Sequence, residues 1–286
     1  MSLKDELQAY LNNPKTLTQC YEQFSSTPQH SVRARLNENI GKCFRRITKG
    51  VYIAINGDTQ ALIIEGDSWA QIKNIETSSI DFIITDSPQS TANRWVSMGT
   101  TRKKTNSLSY ETRDLDAEMY AELYRVLKQG GHLFLFFSVD TEHTIDYNNN
   151  QLMMARQQGL IFNKRFIWNK EVIGMGYNGR CQYEQIFFLS KGKRHKPYNL
   201  SIPDLLSYKR KSAHNRIHES EKPAELIRDL VKIAGKPGDV GLDIFAGSFN
   251  FIEACFKQGC HAITIEKEPA FVKNAVRRFG ANVISS

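Results

Sequence analysis

Two apolar runs that each end in a short acidic loop constrain this 286-residue chain more than any other feature. Ile80-Asp81-Phe82-Ile83-Ile84-Thr85 leads into Asp86-Ser87-Pro88-Gln89, and Gly241-Leu242-Asp243-Ile244-Phe245 leads into Ala246-Gly247-Ser248. Near-continuous apolar runs of this length suit inner strands of a parallel sheet, covered on both faces. Similar runs stand at Leu62–Glu65, His132–Phe137 and His261–Ile265. Helical patterns separate them: Leu115–Leu127, with Met119, Leu123 and Val126 on one side; Lys222–Ala234, opened by Pro223 and closed by Gly235; and a helix after Pro269. Phe166–Trp168 and Gln185–Leu189 read as an antiparallel hairpin. Strands alternating with helices at this spacing predict an α/β fold with a doubly wound sheet. Ligands of such sheets lie beyond the carboxyl ends of the strands, where the strand order reverses. Asp67, Asp86, Asp243 and Glu266 all fall at that edge.

The length suffices for one such sheet plus a small module. Lys and Arg outnumber Asp and Glu by 38 to 30, a net charge of +8 that favours a polyanionic partner. The five cysteines form no CxxC pair and the seven histidines show no ligand spacing. No metal site or disulfide framework is therefore expected, and a reducing, cytoplasmic setting is. No apolar run approaches the ~20 residues that span a bilayer, and the first residues lack a signal-peptide pattern, so no membrane partner is expected.

Residues 1–56 read as a separate module. Leu3, Leu7 and Leu11 share a helix face, Leu17–Phe24 suits a second helix, and Ser31–Ile40 a third, with Ser31 as N-cap and Gly41 ending it. Phe44–Ile53 alternates around a Lys-Gly turn as a hairpin does. Three helices and a basic hairpin resemble a winged helix-turn-helix, which implies DNA contacts by Arg33 and Arg35 on the third helix and by Arg45, Arg46 and Lys49 on the wing. A helical cap with a solvated basic face would show the same pattern.

Residues 57–286 carry the chemistry. An Ala-Gly-Ser turn at a helix N-terminus lets backbone approach a ligand closely. An acid at the end of the next strand, Glu266, suits two ribose hydroxyls, and Asp67 suits an adenine amine. S-adenosylmethionine, with a zwitterionic tail, a ribose and an adenine, asks for such a set. His218-Glu219-Ser220-Glu221-Lys222-Pro223, Pro237-Gly238-Asp239, Asp243 and Phe245-Ala246-Gly247-Ser248, with Glu266, resemble the cofactor half of the β-type, permuted DNA amino-methyltransferases. Gly66-Asp67, Asp86-x-Pro88, Arg125–Gly131 and the Trp168–Gly192 hairpin with Glu184 resemble the catalytic half, and they precede the cofactor half, as in that group. The resemblance covers roughly residues 60–280 and implies a Rossmann-like methyltransferase sheet, S-adenosylmethionine as cofactor and double-stranded DNA as partner. It implies Asp67, Asp86, Ser220, Lys222, Asp243, Phe245, Ala246, Gly247, Ser248 and Glu266 around the cofactor. Asp86, Ser87, Pro88 and Gln89 form the catalytic turn, which receives a base swung out of the helix. Related β-type enzymes are often dimers, which admits a homodimer here, though the sequence carries no interface signature.

The catalytic turn and the cofactor loop depart from the family pattern, the latter also with Ile244 in place of a proline. Gln89 stands where an aromatic stacks on the base, with Trp95 or Tyr177 as candidates for the missing face. Phe249 replaces a glycine of the cofactor loop and raises a question of cofactor fit. Asp at the first turn position resembles the adenine-N6 enzymes, Ser the cytosine-N4 ones. Arg94, Arg102, Lys103 and Lys104 in the loop 90–113, and Lys209 and Arg210 in the segment 193–217, where the family places target recognition, are candidate DNA contacts. That segment is short and rich in Lys and Arg, which grip phosphate without reading sequence. Low specificity is expected, as in the compact adenine methyltransferases of Mu-like prophages, which shield phage DNA from restriction in the bacterial cytoplasm. A catalytically dead DNA-binding relative, a cytosine-N4 enzyme and an RNA substrate remain open alternatives.

Overall fold

The computed structural model describes residues 1–11, 14–40, 42–48, 50–54, 59–90, 111–174, 179–212, 218 and 220–279. Gly41, Lys49, Arg94, Trp95, Arg102, Lys103, Lys104, Tyr177, Arg216 and Glu219 lie outside the described residues.

The N-terminal elements are α1 (Leu3–Tyr10), β1 (Lys15–Thr16), α2 (Leu17–Gln23), α3 (Gln29–Glu38), β2 (Phe44–Thr48) and β3 (Val51–Ala54). Side chains cap the first two helices: Ser2 with Asp5, and Thr16 with Gln19, each exchange hydrogen bonds across the first turn. The third helix starts earlier than its serine predicts. Pro28 takes the N-cap position and Ser31 sits inside the first turn. The strands pair in the order β1-β3-β2, and Leu7, Leu11, Cys20, Val32, Leu36, Phe44 and Tyr52 pack beneath them as a small core.

The hairpin β2–β3 has a second face. Ile47 and Ile53 join the core of the large sheet, and Thr48 bridges Ile75. Arg45 meets Asp81 at 2.7 Å and Arg46 meets Glu76 at 2.6 Å. The two arginines expected to grip phosphate are thus tied to carboxylates of the neighbouring domain. This is a correction to the wing reading, and its cause is that the hairpin is the surface by which the module docks.

The large sheet is built from β4 (Ala61–Glu65), β5 (Ile80–Thr85), β6 (Leu127–Phe137), β7 (Leu160–Asn169), β8 (Tyr183–Lys191), β9 (Leu205–Ser207), β10 (Val240–Asp243) and β11 (His261–Glu266). Their order is β4-β11-β10-β5-β6-β8-β7-β9. Neighbours from β4 to β6 are parallel, and β8 runs antiparallel to both β6 and β7. The chain works outward from β5 through β6 to the hairpin, then returns to place β10 and β11 between β4 and β5, so the strand order reverses beside β10.

Helices α4 (Ser68–Gln71), α5 (Ala117–Val126), α6 (Ile145–Gln157), α7 (Ala224–Ala234), α8 (Asn250–Lys257) and α9 (Pro269–Phe279) flank the sheet. One face buries Leu62, Ile83, Leu133, Leu242 and Ile265 with Met119, Tyr120 and Leu123 of α5. The other buries Ile63, Phe82, Ile84 and Phe134 with Leu226 and Leu230 of α7 and Phe251 of α8. Burial on both faces, each large side chain contributing about 1.5–3 kcal/mol, explains why these strands read as unbroken apolar runs.

α6 and β9 have no such signature. The inward face of α6 holds Asn148 and Gln151. Asn148 Nδ2 donates to the Ser138 carbonyl and to Asp140, and Tyr120 donates to Gln151 Oε1 at 2.8 Å. β9 joins β7 in parallel register, so part of the basic segment 193–217 is an edge strand anchored by buried Leu206.

Candidate active site

The carboxyl ends of β4, β5, β10 and β11 open on one cleft. Asp67, Asp86, Ser87, Pro88, Ser220, Lys222, Asp243, Phe245, Ala246, Gly247, Ser248 and Glu266 all line it. Topology brings these distant residues together: all but Ser220 and Lys222 end or follow a strand at the reversal point, and those two come from the segment that leads into α7.

On the cofactor-loop side, Asp243 ends β10 and its Oδ1 accepts from Thr85 Oγ1 at 2.7 Å and from the Phe245 N–H at 3.1 Å. Burial pushes its carboxyl up to about 7, although both hydrogen bonds favour the charged form. Glu266 ends β11 and accepts from the Gly247 N–H at 2.7 Å and the Glu268 N–H at 2.9 Å. Gly247 takes φ +48°, with the His218 ring where a side chain would point. Phe271 of α9 meets His218 edge-on at 5.1 Å. Phe249 takes φ +57° at the start of α8 with its ring buried in the core, away from the cleft. The backbone thus adopts the left-handed turn that a glycine would ease, and the bulk expected to obstruct the cofactor points elsewhere.

At the rim, Asp67 caps α4 by accepting from the Trp69 and Ala70 N–H groups. The Arg113 guanidinium stacks 3.6 Å above the Trp69 ring and stands 3.8 Å from Asp67. The Arg113 N–H also donates to the Pro88 carbonyl at 2.8 Å. His218, Phe271, Trp69 and Arg113 line the cleft without an assigned role in the sequence reading. His218 stands in the stretch that resembles the cofactor half and Trp69 two positions after an expected ligand; Phe271 and Arg113 arrive from other elements.

The catalytic turn follows β5. Lys222 Nζ lies 2.5 Å from Asp86 Oδ2 and 3.3 Å from Glu184 Oε2, and Lys170 reaches Glu184 at 3.5 Å. The Lys222 ammonium sits over the Phe136 ring at 5.1 Å and the Trp168 ring at 5.9 Å. Burial raises the Asp86 carboxyl above its ordinary value while Lys222 opposes the rise. Burial likewise works against charge on Glu184, but Lys222, Lys170 and Arg210 bring it below the ordinary range. Burial also opposes charge on Lys222, yet the two acids hold its pKa well above that of a solvated lysine. Lys222, expected as a cofactor contact, is therefore first a bridge between two carboxylates. Gln89, at the place of the family's aromatic, turns inward. It is buried, and its Nε2 donates to the Phe136 carbonyl at 2.5 Å, so it presents no face for a base to stack on.

Of the expected DNA contacts, Arg33 and Arg35 are exposed on α3, with Arg35 paired to Glu38 at 3.0 Å. Lys209 is exposed and Arg210 half-buried near Glu184 and Asp86.

A cleft ringed by Asp67, Asp86, Asp243, Glu266 and Glu268, with a glycine cradle and aromatic walls, fits a cationic ligand bearing ribose and purine groups. Among the described residues no helix is long and apolar enough to cross a membrane, and no cluster of three metal-ligating side chains occurs.

Relatives point the same way. The chain is 23% identical over 257 residues to the DNA adenine methyltransferase YhdJ of Escherichia coli K12, covering 78% of this chain and 83% of that protein. It is 26% identical over 224 residues to the type II methyltransferase M.HpaI of Haemophilus parainfluenzae, covering 69% and 68%. Among solved structures, the cytosine-N4-specific PvuII DNA methyltransferase superposes with a TM-score of 0.57 at 18% identity, over 80% of this chain and 89% of that one. The M1.HpyAVI–SAM complex superposes at 0.54 and 19% identity, over 77% and 99%. These likenesses support the Rossmann-like methyltransferase fold. A family model described as DNA methylase, covering the N6 and N4 enzymes, matches residues 80–277. The chain belongs to the N6/N4 DNA methylase family, whose methyl donor is S-adenosylmethionine.

Proposed function

We propose that this chain methylates the N6 amino group of adenine in double-stranded DNA, with little sequence preference, on a base swung into the cleft beside Asp86. The observation that carries the reading is an acid at the first position of the catalytic turn, facing the cofactor loop and charge-paired by Lys222. S-adenosylmethionine, when bound, supplies an electrophilic methyl group. The chain's own residues prepare the acceptor. The Asp86 carboxylate takes one amino N–H, and the Ser87 carbonyl, which already accepts from Gln89 N–H at 2.8 Å, has a second lone pair for the other. Holding both hydrogens leaves the nitrogen lone pair directed at the methyl group. Asp67, Asp243, Gly247 and Glu266 are assigned to the cofactor's polar groups. The rings of Phe136 and Trp168 lie under the Lys222 ammonium that pairs with Asp86. Unstacking a base costs a few kcal/mol, which phosphate contacts from the basic segment 193–217 offset.

With Phe249 turned into the core, the dead-relative reading loses one of its two supports. Low specificity would let such an enzyme shield DNA, phage DNA included, from many restriction nucleases at once. Nucleoside mass spectrometry of unmethylated duplex DNA, after incubation with protein and cofactor, is the test. N6-methyladenine at a large share of adenines is expected; N4-methylcytosine in its place would overturn the assignment of Asp86. The N-terminal module adds a DNA contact through exposed α3. Arg33→Ala should lower the slope of affinity against salt by about one, whereas Arg45→Ala with Arg46→Ala should lower thermal stability and leave the slope alone. An unchanged slope in Arg33→Ala would remove α3 from the interface.

A further inference from the structure

Behind the catalytic turn lies a row of alternating charges that the methyl-transfer reading leaves without a task. It runs Asp86, Lys222, Glu184, Lys170, from the end of β5 across to the hairpin β7–β8. The side chains of Lys222 and Lys170 are only 12% and 13% exposed. A lysine that merely stabilised the fold would be well served by one carboxylate, and burying two further charges, Glu184 and Lys170, is costly. One ammonium shared between two acids has two resting partners, and only one of those acids belongs to the catalytic turn.

We propose that Lys222 and Glu184 are positioning residues that hold Asp86 in its ionised, accepting form and then release its oxygen to the substrate amino group. The proposal rests on the assignment of Asp86 above. Lys222 keeps the proton off Asp86 while the cleft lacks a base. When the amino N–H comes to Asp86, Lys222 turns the rest of the way to Glu184, already 3.3 Å off, so the ammonium never loses a counter-charge. Lys170 and Arg210 keep Glu184 ionised to receive it. The groups that act on Asp86 are then Lys222 and Arg210, which favour its charge, and Glu184, which opposes it; Asp243 and Tyr147 are in turn raised by the Asp86 charge. An acid that stayed protonated would donate where the amino group needs an acceptor.

The test follows the Asp86 carboxyl itself, in the cofactor-free protein, by carbon-13 NMR with Asp86→Asn providing the assignment. Lys222→Met should move its titration to higher pH, Glu184→Gln to lower pH, and Lys222→Arg should stay near wild type. Titrations unmoved by Lys222→Met and Glu184→Gln would overturn the proposal, even if the enzyme methylates DNA well. Transfer of labelled methyl groups to DNA supplies the second readout. At pH 7, Lys222→Met should fall roughly tenfold or more and recover as pH rises, with cofactor affinity retained. Glu184→Gln, whose lysine has nowhere to go, should lose rate at every pH. A uniform, pH-independent loss in Lys222→Met would mark a structural role and reject the clamp. Wild-type protein that transfers nothing would defeat the methylation reading, while the titrations would still decide whether the clamp exists.

Discussion

The turn after β5 and the loop after β10 present the same kind of group to the same cleft and treat it differently. Each offers a buried carboxylate at a strand end, Asp86 or Asp243, and burial raises both. Asp86 is met by a full cation, Lys222, at 2.5 Å. Asp243 is met by a hydroxyl and a backbone N–H. Neutral donors stabilise a charge less than a cation does, so Asp243 is left to titrate at about 7, while at Asp86 the Lys222 ammonium opposes the rise that burial imposes. One strand end is built for an acid that must always accept; the other is built for an acid whose charge is completed by what binds. Each loop also replaces a family residue, with Gln89 and Phe249, and in each the fold turns the new side chain away from the cleft.

The sharpest way to break this contrast is to remove each acid in turn. Asp86→Ala should lower methyl transfer by roughly 10³-fold or more, while calorimetry still finds the cofactor bound. Retained turnover would sink the role given to Asp86. Asp243→Asn should act on binding instead. With a carboxyl titrating at about 7, wild-type affinity for the cationic cofactor should rise between pH 6 and pH 8, and the variant should show a flat profile. Stability should move the opposite way. A carboxyl raised in the folded state stabilises fully below its unfolded value, and that contribution is lost as pH rises through the folded one. Wild-type melting temperature should therefore fall from pH 5 to pH 8 more steeply than that of Asp243→Asn. Parallel curves would mean that Asp243 does not titrate in that range.

What could be read from the sequence was whatever one stretch of chain encodes by itself. The acids at 67, 86, 243 and 266 stood out because each closes an apolar run, and a run buried on both faces needs no partner to be recognised. Partnership was the part that stayed hidden. Arg45 and Arg46 look the same in sequence whether they face phosphate or carboxylate, and their partners Asp81 and Glu76 lie 36 and 30 positions away. Lys222 finds Asp86 across 136 positions. α6 was missed for a related reason. Its inward face is held by amide hydrogen bonds from Asn148 and Gln151, so the apolar periodicity that betrays other helices is weak there. Gln89 could be named as a departure, but whether its amide faced the cleft or the Phe136 carbonyl depended on packing.

Phe249 offers the smallest and cleanest test of the cofactor-loop side. At φ +57° an L-residue is strained by about 1–2 kcal/mol relative to the right-handed region, and the buried ring must outweigh that. Cutting a buried phenylalanine back to alanine costs about 3–5 kcal/mol, and the strain would remain. Cutting it to glycine removes the ring and the strain together. Elsewhere in a helix glycine is the worse choice by about 1 kcal/mol; here Phe249→Gly should be more stable than Phe249→Ala by a similar amount in chemical denaturation. Cofactor affinity should stay near wild type in both, because the ring faces the core. Weaker binding in Phe249→Ala with normal binding in Phe249→Gly would instead mean that the left-handed turn itself, and not the side chain, shapes the cradle at Gly247.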